Sequence, residues 1–227
     1  MPRTQNPQAH ATRRDSFVDT TQTLMLSKGY EQLSIQEILD TLGVSKGAFY
    51  HYFDSKQALL EAVVERMVDT IMTTQAEVVA NPEISAPEKI RSLFSGISQY
   101  KNARRELRVG ILEVWLSDDN AIVREKMRRA TSFRLTPILA LILRQGKEEG
   151  VFTVESPEHD AAVLVSIILG LNEKATQLYV DRQAGRITFQ EVELAITSYV
   201  GAFERLIGVP AGSVLLVDQA TVRQWFA

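Results

Sequence analysis

Hydrophobic positions recur along this chain with the period of a helix, and no set of alternating strands stands out. Phe17, Thr21, Leu24, Met25 and Lys28 share one helical face, and Gly29 is expected to end that helix. Ser34 then precedes IQEILDTLG, where Ile35, Ile38, Leu39 and Leu42 form an apolar face. Ser34 with Glu37 three residues on makes a capping box, and Gly43 suits the C-cap. Ser45 can cap the short segment KGAFYHYF. Asp54 or Ser55 starts a helix over 55–79, with Leu59, Leu60, Val63, Met67 and Ile71 in register. That helix would be about 37 Å long at 1.5 Å per residue. Further helices are expected at 87–102, 104–117, 119–149, 157–182 and 188–207, parted most clearly by GVFTVESPEH and RQAGRIT. Pro137 predicts a kink or a break inside 119–149. The tail VPAGSVLLVDQATVRQWFA reads equally as a short strand or a helix turn around VLLV.

Residues 34 to 53 have the form of a helix-turn-helix: a first helix, a tight Gly43-Val44-Ser45 turn and a short second helix. Phe49 and Phe53, four apart, are assigned to a small core, and Val44 to the corner between the helices. Tyr50 lies beside that core face, while Lys46, Gly47 and His51 point elsewhere. Gly47 is the informative choice, because glycine costs about 1 kcal/mol inside a helix. Together with Ala48 it would let the front of a recognition helix approach base edges and thymine methyls closely. Tyr50, His51 and Tyr52 offer donors to phosphate oxygens. Lys56 at the start of the long helix, and Arg13 and Arg14 near the start of the first, are cations set against a helix dipole. An external anion would neutralise them.

Charge distribution bears on that reading. The 227 residues carry a formal charge of -3. Up to residue 56, however, six bases (Arg3, Arg13, Arg14, Lys28, Lys46, Lys56) balance six acids (Asp15, Asp19, Glu31, Glu37, Asp40, Asp54). The excess acid therefore lies further on, and local charge is what a polyanion would meet. Composition is that of an ordinary soluble protein, with 45% hydrophobic residues and a mean hydropathy of -0.07. No apolar run approaches the roughly 20 residues of a membrane span, and MPRTQNPQAHATRRDS lacks the apolar centre of a secretory signal. A cytoplasmic protein is expected, and the absence of Cys fits a reducing compartment.

An enzyme is not expected. With no Cys and only His10, His51 and His159, metal clusters have few ligands to draw on. No glycine-rich phosphate loop, serine nucleophile elbow or HExxH motif is found, and no cofactor is implied.

LSIQEILDTLGVSKGAFYHYFDSKQALLEAVVE resembles the N-terminal signature of the TetR/AcrR family of transcriptional regulators, whose members often carry strings close to GVSKGxFYxYFxSKxALL. The resemblance covers roughly residues 10 to 65. It implies an all-α protein: a three-helix DNA-binding domain over 1–56, joined by the long helix to a helical effector-binding and dimerisation domain over 57–227. By the resemblance Ser34 would cap the first motif helix at the backbone and Gln36 is placed to reach a base edge or phosphate, while Ser45, Lys46, Gly47, Ala48 and Tyr50 match positions facing the groove or its walls. His51, Tyr52 and Lys56 match positions that hold phosphates. The family often has Thr where Ala48 stands, so a hydroxyl contact is lost and a methyl contact remains.

The same resemblance implies a ligand-responsive repressor that binds a palindromic double-stranded DNA operator as a homodimer. The dimer would form through the last two long helices, with Gly170 allowing close approach, and a small-molecule effector would release it. Leu112, Trp115 and Phe133, with Phe94 and Tyr100, are the large apolar candidates for an effector pocket. The alternative is a helical ligand-binding or protein-interaction module that does not bind DNA.

Overall fold

The computed structural model describes residues 7–28, 30, 32–103, 105–116 and 121–227. Ten helices appear among them, and no strand: α1 (Pro7–Lys28), α2 (Ile35–Leu42), α3 (Lys46–Tyr50), α4 (Lys56–Ala80), α5 (Ala86–Ala103), α6 (Arg105–Leu116), α7 (Ala121–Glu148), α8 (Pro157–Gln183), α9 (Phe189–Ile207) and α10 (Gln219–Phe226). The chain divides into two compact units, 1–69 with 104–127, and 70–103 with 128–227. The sequence-based boundary at residue 56 marks the start of α4. The first unit extends beyond it, to Asp69, because Arg66 of α4 is tied to α1. Its guanidinium pairs with Asp19 at 2.7 Å and donates to Gln22 at 3.0 Å.

In the first unit, local caps fix three short elements around an aromatic centre. The Ser34 hydroxyl accepts from Glu37 N (3.2 Å) while the Glu37 carboxylate accepts from Ser34 N (3.0 Å), completing the expected capping box. Gly43 closes α2 at φ 62°, a left-handed conformation that a Cβ would strain. Val44 N–H then donates to Leu39 C=O (3.0 Å), and its side chain is half-buried at the corner assigned to it. Ser45 caps α3 and Ser55 caps α4, through bonds accepted from Ala48 N and Ala58 N. Phe17, Phe49 and Phe53 pack with ring centroids 5.7, 5.9 and 6.0 Å apart, and all three are buried. The expected end of the first helix falls at Lys28; Gly29 lies outside the described residues.

The second unit buries Ile90, Leu93 and Phe94 of α5 against Leu135, Leu139 and Leu143 of α7, Leu164 and Val165 of α8 and Phe203 of α9. Pro137 does not break α7, which runs through it without interruption. Proline removes one backbone donor, and Pro137 lies on the exposed side of the helix, where water can serve the carbonyl left over. Gly146 of α7 is required by packing, since a Cβ there would stand 2.0 Å from Cδ2 of buried Phe152. Lys89, only 4% exposed, donates to Gln145 (2.7 Å), which in turn donates to Ile84 C=O (2.8 Å).

The tail resolves the VLLV ambiguity as irregular chain rather than strand. Val214 and Leu216 are buried, and Val214 N–H donates to the buried carboxylate of Glu204 at 3.0 Å. After Asp218 the chain forms α10, whose Val222 and Phe226 join Leu171, Leu178, Val192 and Ile196 in a second apolar cluster. Trp225 Nε1 donates to Asn102 Oδ1 (2.7 Å), and Asn102 Nδ2 donates to Thr221 Oγ1 (3.0 Å). By length and composition α8 could cross a bilayer, its most apolar stretch having a hydropathy of 1.2. One side of it, with Ala161, Leu164, Val165, Ile168 and Leu171, instead packs inside the protein, while Val163 is exposed.

Candidate nucleic-acid interface

One face of α3 is turned inward and the rest is open. Phe49 is fully buried, whereas Ser45, Lys46, Gly47, Tyr50 and the C-cap residue His51 are exposed and Ala48 is half-buried. Tyr50 is 47% exposed; it stands edge-on to Phe49 at 5.2 Å, with Lys46 Nζ 6.0 Å from its centroid. It is therefore a surface ring braced by the core rather than part of it. A Cβ built on Gly47 would meet only Ser45 Oγ, at 3.9 Å, and its φ is not in the left-handed region. Nothing inside the protein requires glycine at this position.

Ser34 and Gln36 are exposed at the front of α2, but both are engaged. The Ser34 hydroxyl is occupied by Glu37, and Gln36 Nε2 donates to Asp40 at 2.8 Å. Ser45 Oγ accepts from Ala48 N (3.3 Å), which leaves its hydroxyl proton for an outside acceptor. Tyr52 is half-buried against Phe17 (5.6 Å) and His10 (4.6 Å), and His51 lies 5.0 Å from it.

Lys56 differs from expectation. Rather than standing as an uncompensated cation, it donates to Tyr30 C=O at 2.8 Å and sits 4.1 Å from the centre of the Tyr30 ring. Tyr30 Oη donates back to Lys56 C=O at 3.2 Å, so the two residues clasp the α1–α2 link to the start of α4. Arg13 and Arg14 differ from expectation as well. Because α1 begins at Pro7, they occupy its second turn instead of its start. Arg14 lies over the Phe53 ring at 5.2 Å and both guanidinium groups are exposed. Among the described residues no carboxylate pairs with Arg13, Arg14 or Lys46. His10 is the site neighbour that sequence reading did not place here. Its signal was the spacing of His10, Arg14 and Phe17, which puts all three on one face of α1.

Residues 17–63 match the family model described as bacterial regulatory proteins, tetR family. The chain belongs to the tetR family. The matched segment spans most of α1, all of α2 and α3 and the first turns of α4, the elements that build the exposed α3 face. Its relatives include the HTH-type transcriptional repressor NemR of Escherichia coli K12, 29% identical over 167 residues, covering 71% of this chain and 83% of NemR. The Tn10 TetC protein of Escherichia coli is 40% identical over 65 residues, 27% of this chain and 33% of that one. Among solved structures, RolR in complex with its ligand resorcinol has a TM-score of 0.61 at 18% identity, covering 98% of this chain and 96% of that chain. A TetR/AcrR-family regulator from Thermobifida fusca has a TM-score of 0.53 at 25% identity, covering 70% and 82%. The tetR family is one of regulators, not enzymes.

The effector candidates fall in both units. Leu112 is half-buried on α6 in the first unit, while the side chain of Trp115 lies outside the described ones. Phe133 belongs to the second unit and is 84% exposed, beside a shallow apolar recess with Met72, Pro137 and Ile138. Phe94 is a core residue rather than a pocket one, edge-on to Phe203 at 5.8 Å. Gly170 allows close approach within the chain, where Tyr199 of α9 comes to 3.3 Å of a Cβ placed there.

Proposed function

We propose that this tetR-family protein is a ligand-responsive transcriptional repressor. It binds a palindromic operator as a homodimer, with α3 in the major groove, and a small-molecule effector releases it. The carrying observation is Gly47: an exposed helical glycine with no steric or conformational reason inside the protein. A closely approaching external surface supplies the reason. Lys46, Tyr50 and the hydroxyl of Ser45 flank it, and His51 and Tyr52 just after α3, with Lys56 at the start of α4, are the residues to hold phosphates.

A two-fold operator needs a two-fold protein, with recognition helices about 34–36 Å apart for successive major grooves. The open face of α9 supports dimerisation there: Leu194 is 69% exposed, with Thr197, Ser198 and Gly201 continuing its row. Val163 and Ser166 are exposed on α8. α4 begins next to α3 and continues into the second unit, so an effector held by that unit could act through it on the reading heads. Thiol chemistry is not the trigger in this chain, which has no cysteine. The protein works where the bacterial chromosome is, in the cytoplasm.

The test is selection of bound sequences from a random duplex pool at two salt concentrations. A palindromic site whose affinity falls steeply with salt is expected. No enrichment at low salt by ligand-free protein would favour a helical module without DNA binding.

A further inference from the structure

Two of the chain's three histidines stand against each other at the edge of the proposed DNA face. His10, on the first turns of α1, has its ring centroid 5.5 Å from that of His51, the C-cap of α3, at an interplanar angle of 73°. Both rings also lean on Tyr52, at 4.6 and 5.0 Å. One turn further along the same face of α1, Arg14 lies over Phe53. The site thus gathers two imidazoles and a guanidinium on one aromatic floor.

Among the described residues, Tyr52 of the α3–α4 link packs against both rings, and Arg14 stands one turn along α1 from His10. The acids nearest in sequence, Asp15 and Asp54, are exposed and make no ion pair among the described residues. An imidazole changes charge between pH 5 and 8. A phosphate laid across two imidazoles favours their charged form.

We infer that His10 is a further residue of the DNA interface, and that with His51 it makes operator binding proton-linked. The inference rests on the operator-binding reading above. Its sign follows from which state favours the charged imidazoles. Protons are taken up on binding, so affinity strengthens as pH falls through the imidazole range and weakens as pH rises. Each proton taken up changes affinity by at most about tenfold per pH unit.

The test uses the full chain and a fluorescent duplex recovered by the selection, with anisotropy read at constant ionic strength at about pH 6 and about pH 8. Wild type is expected to bind on the order of tenfold more tightly at the lower pH. His10→Phe keeps an aromatic ring against His51 and Tyr52 but cannot take a proton, and should cut that ratio to about threefold or less. His10→Phe with His51→Phe should flatten it, and His159→Gln on α8 should leave it unchanged. Calorimetry in two buffers of different ionisation heat counts the protons taken up, and that number should drop in His10→Phe. A His10→Phe ratio equal to wild type's, or no proton uptake by wild type, overturns the inference while leaving operator binding intact. Failure of wild type to bind at either pH would bring down the operator reading, and the proton linkage with it.

Discussion

Replacing Gly47 by alanine should separate stability from function. An exposed helical glycine gives up roughly 0.5–1 kcal/mol relative to alanine through backbone entropy. The added methyl meets nothing closer than Ser45 Oγ at 3.9 Å, an ordinary contact, and the backbone needs no left-handed conformation. The free protein should therefore gain about 0.5–1 kcal/mol, which raises Tm by roughly 1–4 °C for a chain of this length. α3 has only five residues, which favours the lower end. On DNA the same methyl occupies the space the groove is proposed to fill, and a loss of about 1.4 kcal/mol or more corresponds to at least a tenfold weaker complex. Circular-dichroism melts and anisotropy with the selected duplex read the two quantities separately. A variant that is stabilised and binds the operator like wild type would refute the placement of Gly47 at the interface. One that is destabilised would refute the claim that no internal contact requires glycine.

Other outcomes rest on particular contacts. Tyr50→Ala should weaken operator binding while leaving the helical circular-dichroism signal intact, because the ring is half in solvent; Phe49→Ala should cost about 3–5 kcal/mol and unfold the small unit. Lys56→Ala should lower the salt slope of DNA binding and also destabilise the free protein by about 1 kcal/mol, since it breaks the clasp on Tyr30. Gly146→Ala forces the buried Phe152 ring to move and should cost about 1–3 kcal/mol, seen as a lowered Tm. At Asp218 burial pushes the carboxyl up, but hydrogen bonds from Thr221 N and Oγ1 (both 2.7 Å) outweigh it and hold the group below its ordinary range. Its stabilisation of α10 is therefore present above the ordinary carboxylate range and lost as pH falls through the lower folded value. In a Trp115→Phe background, Trp225 fluorescence should shift on acidification, and Asp218→Asn should remove that dependence.

The first unit was largely legible in the sequence because its determinants are local. A serine three residues before a glutamate, a glycine at the end of an apolar helix, and phenylalanines four apart each specify geometry within one or two turns. The protein's all-helical character and the α4 to α9 spans were readable for the same reason, to within a few residues at their ends. What the sequence left open is what distant segments do to one another. Lys56 and Tyr30, 26 positions apart, form a clasp only because the chain folds α1 and α4 together. Trp225 meets Asn102 across 123 positions, which turned an ambiguous tail into a docked helix. Phe94 and Phe133, alike as aromatics at helical spacing, were sorted into core and surface by packing alone. Periodicity tells which side of a helix is apolar, but only the tertiary structure decides what that side faces.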